Sequence, residues 1–100
     1  MVFISSKMGS ITDNTSGQNY IYRSSKTALN MVVKSLSVDL AANGLTILAI
    51  HPGWVRTDMG GENGLIDAPT SVKGMMQVIE EAAIEHSGRF WNYDGTELPW

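Results

Sequence analysis

The stretch from about Asn19 to Ala42 carries Leu29, Val32, Val33, Leu36 and Leu40 at three- and four-residue steps, and Asn43-Gly44 stops it. That period gives a helix one apolar face. Asn and Gly both tolerate the left-handed conformation at a helix end. Directly beyond, Leu45 to Ile50 reads as a strand that is apolar on both faces, as in a parallel sheet. A helix feeding into a doubly buried strand restricts the chain to alternating β and α elements.

The flanking segments fit the alternation. Val2, Phe3 and Ile4 form a short β-prone run. Lys7 to Asn19 is polar, holds Gly9, Asp13, Asn14 and Gly17, and reads as a loop. His51-Pro52-Gly53 breaks the second strand, and Trp54 to Pro69 is a long loop of the kind that is usually functional or mobile. A second amphipathic helix runs from about Pro69 to Glu85, with Val72, Met75, Met76, Ile79 and Ala83 on one face and Ser87-Gly88 at its end. Phe90 to Tyr93 is a last short strand, and "DGTELPW" a polar tail. The order β-α-β-α-β predicts an α/β domain over residues 1–100, with a three-stranded parallel sheet and right-handed crossovers.

One hundred residues, 43% of them apolar, suffice for one small globular domain. The net charge of −3 is small and scattered, with no Lys/Arg cluster for nucleic acid and no basic amphipathic face for a membrane surface. The absence of cysteine excludes disulfides and thiolate metal sites, and fits the cytoplasm. No apolar run is long enough to span a bilayer, and "MVFISS" has none of the marks of a signal peptide. Asn14-Thr15-Ser16 matches a glycosylation acceptor only formally.

In an open parallel sheet, ligands bind beyond the carboxyl ends of the strands. Ser5-Ser6 follows the first strand, His51-Pro52-Gly53 follows the second, and Tyr22 and Lys26 lie in the first turns of the helix between them. All three features therefore reach one rim. Tyr22 and Lys26, four apart, share a helix face. A free phenol is a poor acid or base at neutral pH, and a neighbouring ammonium favours its ionised form. The pair suits general acid/base work. A serine hydroxyl meeting the phenol at a substrate oxygen suits carbonyl/alcohol interconversion, with a cofactor exchanging hydride at carbon. Tyr-x-x-x-Lys alone is a weak motif.

Together, "ISSKMGS", "YRSSKTALN" and "HPGWVRTDM" resemble the short-chain dehydrogenases/reductases, in the family's order and over nearly the whole chain. "HPGWVRTDMGG" and "YDGTELPW" resemble its sniffer- and C-factor-like carbonyl reductases. The resemblance implies part of a Rossmann fold and an NAD(P)-dependent oxidoreductase, with NADP favoured over NAD. It implies Tyr22 as the acid/base, and Lys26 as the residue that tunes it and holds the nicotinamide ribose. Ser6 would orient the substrate oxygen, with Ser5 the runner-up. Pro52, Gly53, Val55 and Thr57 would line the nicotinamide pocket. Ser6 precedes Tyr22 by sixteen residues, more than in many members, so "ITDNTSGQN" resembles an insertion.

His51 and His86 have no metal-ligand spacing between them, and no metal site is expected. Asp58 and Glu62 read as solvated loop charges. Trp54, Met59 and the loop to Leu65 read as a cover for a small carbonyl or alcohol substrate, and Met75-Met76 as core. Tyr93 and Trp100 suit either a pocket wall or a subunit contact. The family's Gly-rich turn, Thr-Gly-x-x-x-Gly-x-Gly, occurs nowhere in the chain. The expectation is therefore the C-terminal part of a longer enzyme. The alternative function is an inactive fragment or interaction module, forming a homo-oligomer or pairing through an exposed sheet edge.

Overall fold

The computed structural model describes residues 1–56 and 64–100. In chain order its elements are β1 (Val2–Ile4), α1 (Tyr20–Asp39), β2 (Leu48–His51), β3 (Val55–Arg56), β4 (Ile66–Asp67), α2 (Ala68–Glu81), β5 (Arg89–Asn92) and β6 (Glu97–Leu98). Three 3-10 turns, Lys7–Gly9, Ala41–Asn43 and Ile84–His86, punctuate them. The main sheet runs β1-β2-β5-β6. β2 pairs in parallel with β1, Phe3 beside Ala49, and with β5, Ala49 beside Phe90.

The three parallel strands are those expected, and two additions come from the segments read as loop and tail. Asp94 Oδ1 accepts from Thr96 N and Asn92 Nδ2, both at 3.0 Å. This turn folds the tail back as the antiparallel strand β6, Phe90 opposite Leu98. Within the long loop, β3 and β4 form a separate parallel pair, Val55 beside Ile66. Boundaries also move. β2 starts at Leu48 rather than Leu45, because the Ala41–Asn43 turn and Gly44 extend the connection. α2 ends at Glu81 instead of Glu85. It starts where Asp67 Oδ1 accepts from Thr70 N at 2.9 Å, with Pro69 in the first turn.

Val33 of α1 packs with Ile47, Ala49 and Phe90, ringed by Phe3, Leu36, Leu40, Leu98 and Trp100. Phe90 and Trp100 stack with centroids 5.6 Å apart and planes 12° from parallel. α2 covers the alternate residues: Val78 and Ala82 line a small cavity with Leu48 and Trp91. Adjacent strand residues point to opposite faces, so α1 and α2 lie on opposite sides of the sheet. β1, β2 and β5 advance in one direction, and two crossovers of the same hand would put both helices on one side. One of the two connections therefore departs from the expected right hand.

The helix faces differ from the hydropathy pattern too. Asn30, Val33 and Ser37 are the buried residues of α1, whereas Val32 is 48% exposed. On α2, Val72, Met76 and Ile79 are exposed and Ser71 is buried, so Met76 is not core. Ser71 turns inward because its hydroxyl donates to Pro52 O at 2.6 Å. No described helix is long and apolar enough to cross a membrane.

This packing separates two substitutions that hydropathy would treat alike. Phe90→Ala is expected to lower unfolding free energy by about 3–5 kcal/mol, read as a large drop in the urea midpoint and a red shift of Trp100 emission. Val32→Ala should change it by only about 0.5 kcal/mol.

Candidate active site

The segment after β1 is anchored on both sides. Ser5 N donates to Ile50 O at 2.8 Å, continuing the β1–β2 ladder, and Ser5 Oγ donates to Asn30 Oδ1 at 2.6 Å. Lys7 N donates to His51 Nδ1 at 3.0 Å. Between them Ser6, 5% exposed, caps the 3-10 turn by accepting from Met8 N at 3.2 Å. Among the described residues no acceptor takes its own hydroxyl proton.

That turn lies against α1 where Tyr22 and Lys26 sit. A Cβ added at Gly9 would stand 2.9 Å from both the carbonyl carbon and Cβ of Lys26, and 3.1 Å from Asn30 Nδ2. Only a residue without a side chain permits this approach. Gly9 O faces two donors of α1, Thr27 Oγ1 at 2.8 Å, a hydroxyl equally close to Arg23 O, and Asn30 Nδ2 at 3.5 Å. Lys26 Nζ is 5.8 Å from the centroid of the Tyr22 ring, and Tyr22 is 46% exposed, open to a ligand. The turn that follows Ser6 thus meets α1 at Lys26, one helical turn from Tyr22.

Arg23, beside Tyr22, ties down the long polar loop. Its Nε donates to Gly17 O and Gln18 O at 3.1 and 3.0 Å, and Nη2 to Ser16 Oγ at 3.1 Å. Gln18 and Asn19 both have positive φ, and the arginine holds that strained entry into the helix.

At the end of β2, His51 is 4% exposed and meets Trp54 edge-on, centroids 5.7 Å apart. Burial, then the nearby Lys7 charge, lowers its pKa from 6.5 to about 4, with Asp13 opposing. The Lys7 N–H at Nδ1 also requires a neutral ring there. A cleft of about 200 Å³ opens over the strand ends, lined by His51, Gly53, Trp54, Ile66, Asn92 and Tyr93, and reaches the serine segment through Lys7. Tyr93 is thus a pocket wall, and Trp100 packs on Phe90. Pro52 and Gly53 turn the chain out of β2, and Val55 is half-buried in β3. Thr57, Asp58, Met59 and Glu62 lie outside the described residues. Among those described, no three His, Cys, Asp or Glu side chains cluster as a metal site.

The family model for short chain dehydrogenase matches residues 1–65. The chain belongs to this family. It is 54% identical over 97 residues to the C-signal protein of Myxococcus xanthus, covering 97% of this chain and 58% of that one. It is 42% identical to 1-hydroxy-2-glutathionyl-2-methyl-3-butene dehydrogenase of Rhodococcus sp. (strain AD45), covering 97% and 45%. Among solved structures, the carbonyl reductase Sniffer of D. melanogaster superposes with a TM-score of 0.95 at 48% identity, covering 99% and 40%. The NADPH-bound carbonyl reductase from chicken fatty liver gives 0.89 at 39%, covering 99% and 42%. The chain spans about half the length of the curated relatives it matches. These short-chain dehydrogenase likenesses agree with the partial Rossmann fold expected from the sequence.

Three residues inside the quoted segments take parts that the motifs did not assign: Asn30, Arg23 and the ring acceptor of His51. For Asn30 a signal existed, a polar residue two helical steps from Tyr22 on the Lys26 face. For the others only the folded contacts reveal the role.

His51 makes folding pH-dependent. Its pKa falls from 6.5 unfolded to about 4 folded, so the neutral ring's contribution is complete above about pH 6.5 and is lost as pH falls towards 4. The full amount is about 3 kcal/mol. Urea unfolding at pH 7, 5.5 and 4.5 should show that decline. His51→Asn, which keeps an acceptor but does not titrate, should flatten it.

Proposed function

We propose that this chain carries the proton-transfer residues of an NADPH-dependent carbonyl reductase, interconverting the carbonyl and alcohol of a small molecule. The observation that carries the reading is the turn–helix contact at Gly9, which joins the Ser6 turn to the helix of Tyr22 and Lys26. Ser6 donates its uncommitted hydroxyl proton to the substrate oxygen. Ser5 is the weaker candidate, since its hydroxyl is spent on Asn30. Tyr22 donates a second hydrogen bond and passes its proton to that oxygen as the carbonyl is reduced. Lys26 supplies the positive charge that steadies the resulting phenolate.

The cofactor, when bound, supplies the hydride to the carbonyl carbon. The described residues fit its nicotinamide end. Tyr22 is open to solvent, and β3 pairs with β4 alone among the described residues, leaving one edge of the Val55 backbone for the carboxamide. Pro52 and Gly53 continue that wall among the described residues, and Lys26 would hold the ribose. The sequence holds no Gly-rich turn for the pyrophosphate. NADP is favoured because carbonyl reductases similar to this chain were solved with it.

The test joins the chain to the remainder of the D. melanogaster reductase and follows NADPH oxidation with reactive carbonyls. Tyr22→Phe should lower kcat by about 10²–10⁴-fold. An unchanged rate removes Tyr22 from the mechanism.

A second reading concerns the chain by itself. β1 has β2 as its partner and, among the described residues, a free second edge, with Val2 and Ile4 exposed. Such an edge is a template for pairing with another strand. Sedimentation of the 100-residue chain should show self-association that Ile4→Lys suppresses, and calorimetry should show no micromolar binding of NADPH. A monomer in sedimentation removes the interaction reading.

A further inference from the structure

We propose that Asn30 is a positioning residue that fixes Ser6 against the Tyr22–Lys26 pair, a role that rests on the catalytic reading above. Tyr22, Lys26 and Asn30 lie at successive four-residue steps of α1, so they follow one face over about 12 Å of axis. Exposure falls along that row, from open Tyr22 to half-buried Lys26 to buried Asn30. At its deep end the carboxamide makes two contacts. Oδ1 accepts from Ser5 Oγ at 2.6 Å, and Nδ2 donates to Gly9 O at 3.5 Å. The Gly9 carbonyl can only accept, and that sets the amide's orientation.

These two partners bracket Ser6, one residue before it and three after. The bracket is anchored to the same rigid helix that carries the acid/base, so the distance from the serine hydroxyl to the phenol is set within one unit. Thr27 shares the Gly9 carbonyl, and His51 holds Lys7 from the sheet side. Among the described residues Asn30 is the side chain of this helix that bonds both flanks of the turn, while Arg23 Nη1 donates to Met8 O within it at 3.4 Å. A displacement of about 1 Å at a reacting group is enough to cost about a hundredfold in rate.

The experiment uses the same full-length fusion and measures kcat, KM and melting temperature for Ser6→Ala, Asn30→Leu, Ser5→Ala and their pairs. Asn30→Leu should lower kcat by about 10–100-fold with KM within about threefold. Adding it to Ser6→Ala should cost no more than about twofold further, because its effect passes through Ser6. Ser5→Ala removes a single hydroxyl and should lower kcat by about tenfold, which carries the test if Asn30→Leu does not fold. The pair Ser5→Ala/Asn30→Leu leaves no orphaned polar partner and should recover most of the melting temperature while kcat stays low. Losses from Asn30→Leu and Ser6→Ala that simply multiply, or a kcat that recovers together with stability, would overturn the role of Asn30 and leave the catalytic reading standing. A silent Ser6→Ala would overturn both.

Discussion

β2 is buried at every position from Leu48 to His51, with Ile47 before it. A strand with no solvent-facing side needs a strand on each edge and a cover on each face. β1 and β5 take the edges, and α1 and α2 take the faces. The opposite placement of the two helices follows from this requirement. Leu48 and Ile50 would otherwise face water, since α1 already covers Ile47 and Ala49. The strand leaves the layers at His51, which is why the candidate site forms there. It is the place where the most constrained backbone in the molecule meets the open rim.

The alternation of elements was legible because the hydrophobic period of α1 and the doubly apolar β2 are strong, local signals. The inward faces of the helices were less so. Hydropathy assigns Val32 to the core and says nothing for Asn30 or Ser37, yet the polar pair is buried and Val32 is not. A polar side chain enters a core when it finds a partner, as Asn30 does in Ser5 and Ser37 in the Lys34 carbonyl. The Ser5 partner lies outside the window in which periodicity is read, and the Lys34 carbonyl is backbone, which hydropathy does not register. α2 repeats the lesson. Ser71 is inward through Pro52 O, and Gly74 is inward because an added Cβ would stand 2.5 Å from Tyr93 O. β6 depends on Asp94 closing a turn, which hydropathy of a polar tail cannot convey.

The candidate site was legible to a different depth. Ser6, Tyr22, Lys26, Pro52, Gly53 and Val55 are marked by motifs whose order also places them on one rim. The residues that hold them are marked by nothing so general. Arg23 works by fastening the Gly17 and Gln18 carbonyls ahead of the helix. Asn30 works by bracketing the serine turn. Arg23 acts through loop carbonyls that only the folded entry turn presents, and Asn30 through partners brought to it when the β1 turn docks on α1, so beyond the place of Asn30 on the Lys26 face neither role was readable along the chain. The hand of the second crossover was hidden for a similar reason. It shows only in which face of the sheet each helix covers, which the hydropathy of the elements does not specify.

The site residues belong to two separate pieces of chain. The groups suited to moving a proton sit on the β1 turn and α1, and the Pro52–Val55 segment sits beyond β2. His51 joins the two. Its Nδ1 holds the Lys7 amide next to Ser6, and its ring edge meets Trp54. A protonated imidazole offers a donor at both nitrogens, so charging the ring would set two donors against each other at Lys7 and place a cation in a buried position. Acidification would therefore remove the sheet-side hold on the serine turn. Burial that keeps this ring neutral far below its usual pKa thus does more than tolerate a polar residue at a strand end. It keeps the Ser6 turn in register with the rim across the neutral range.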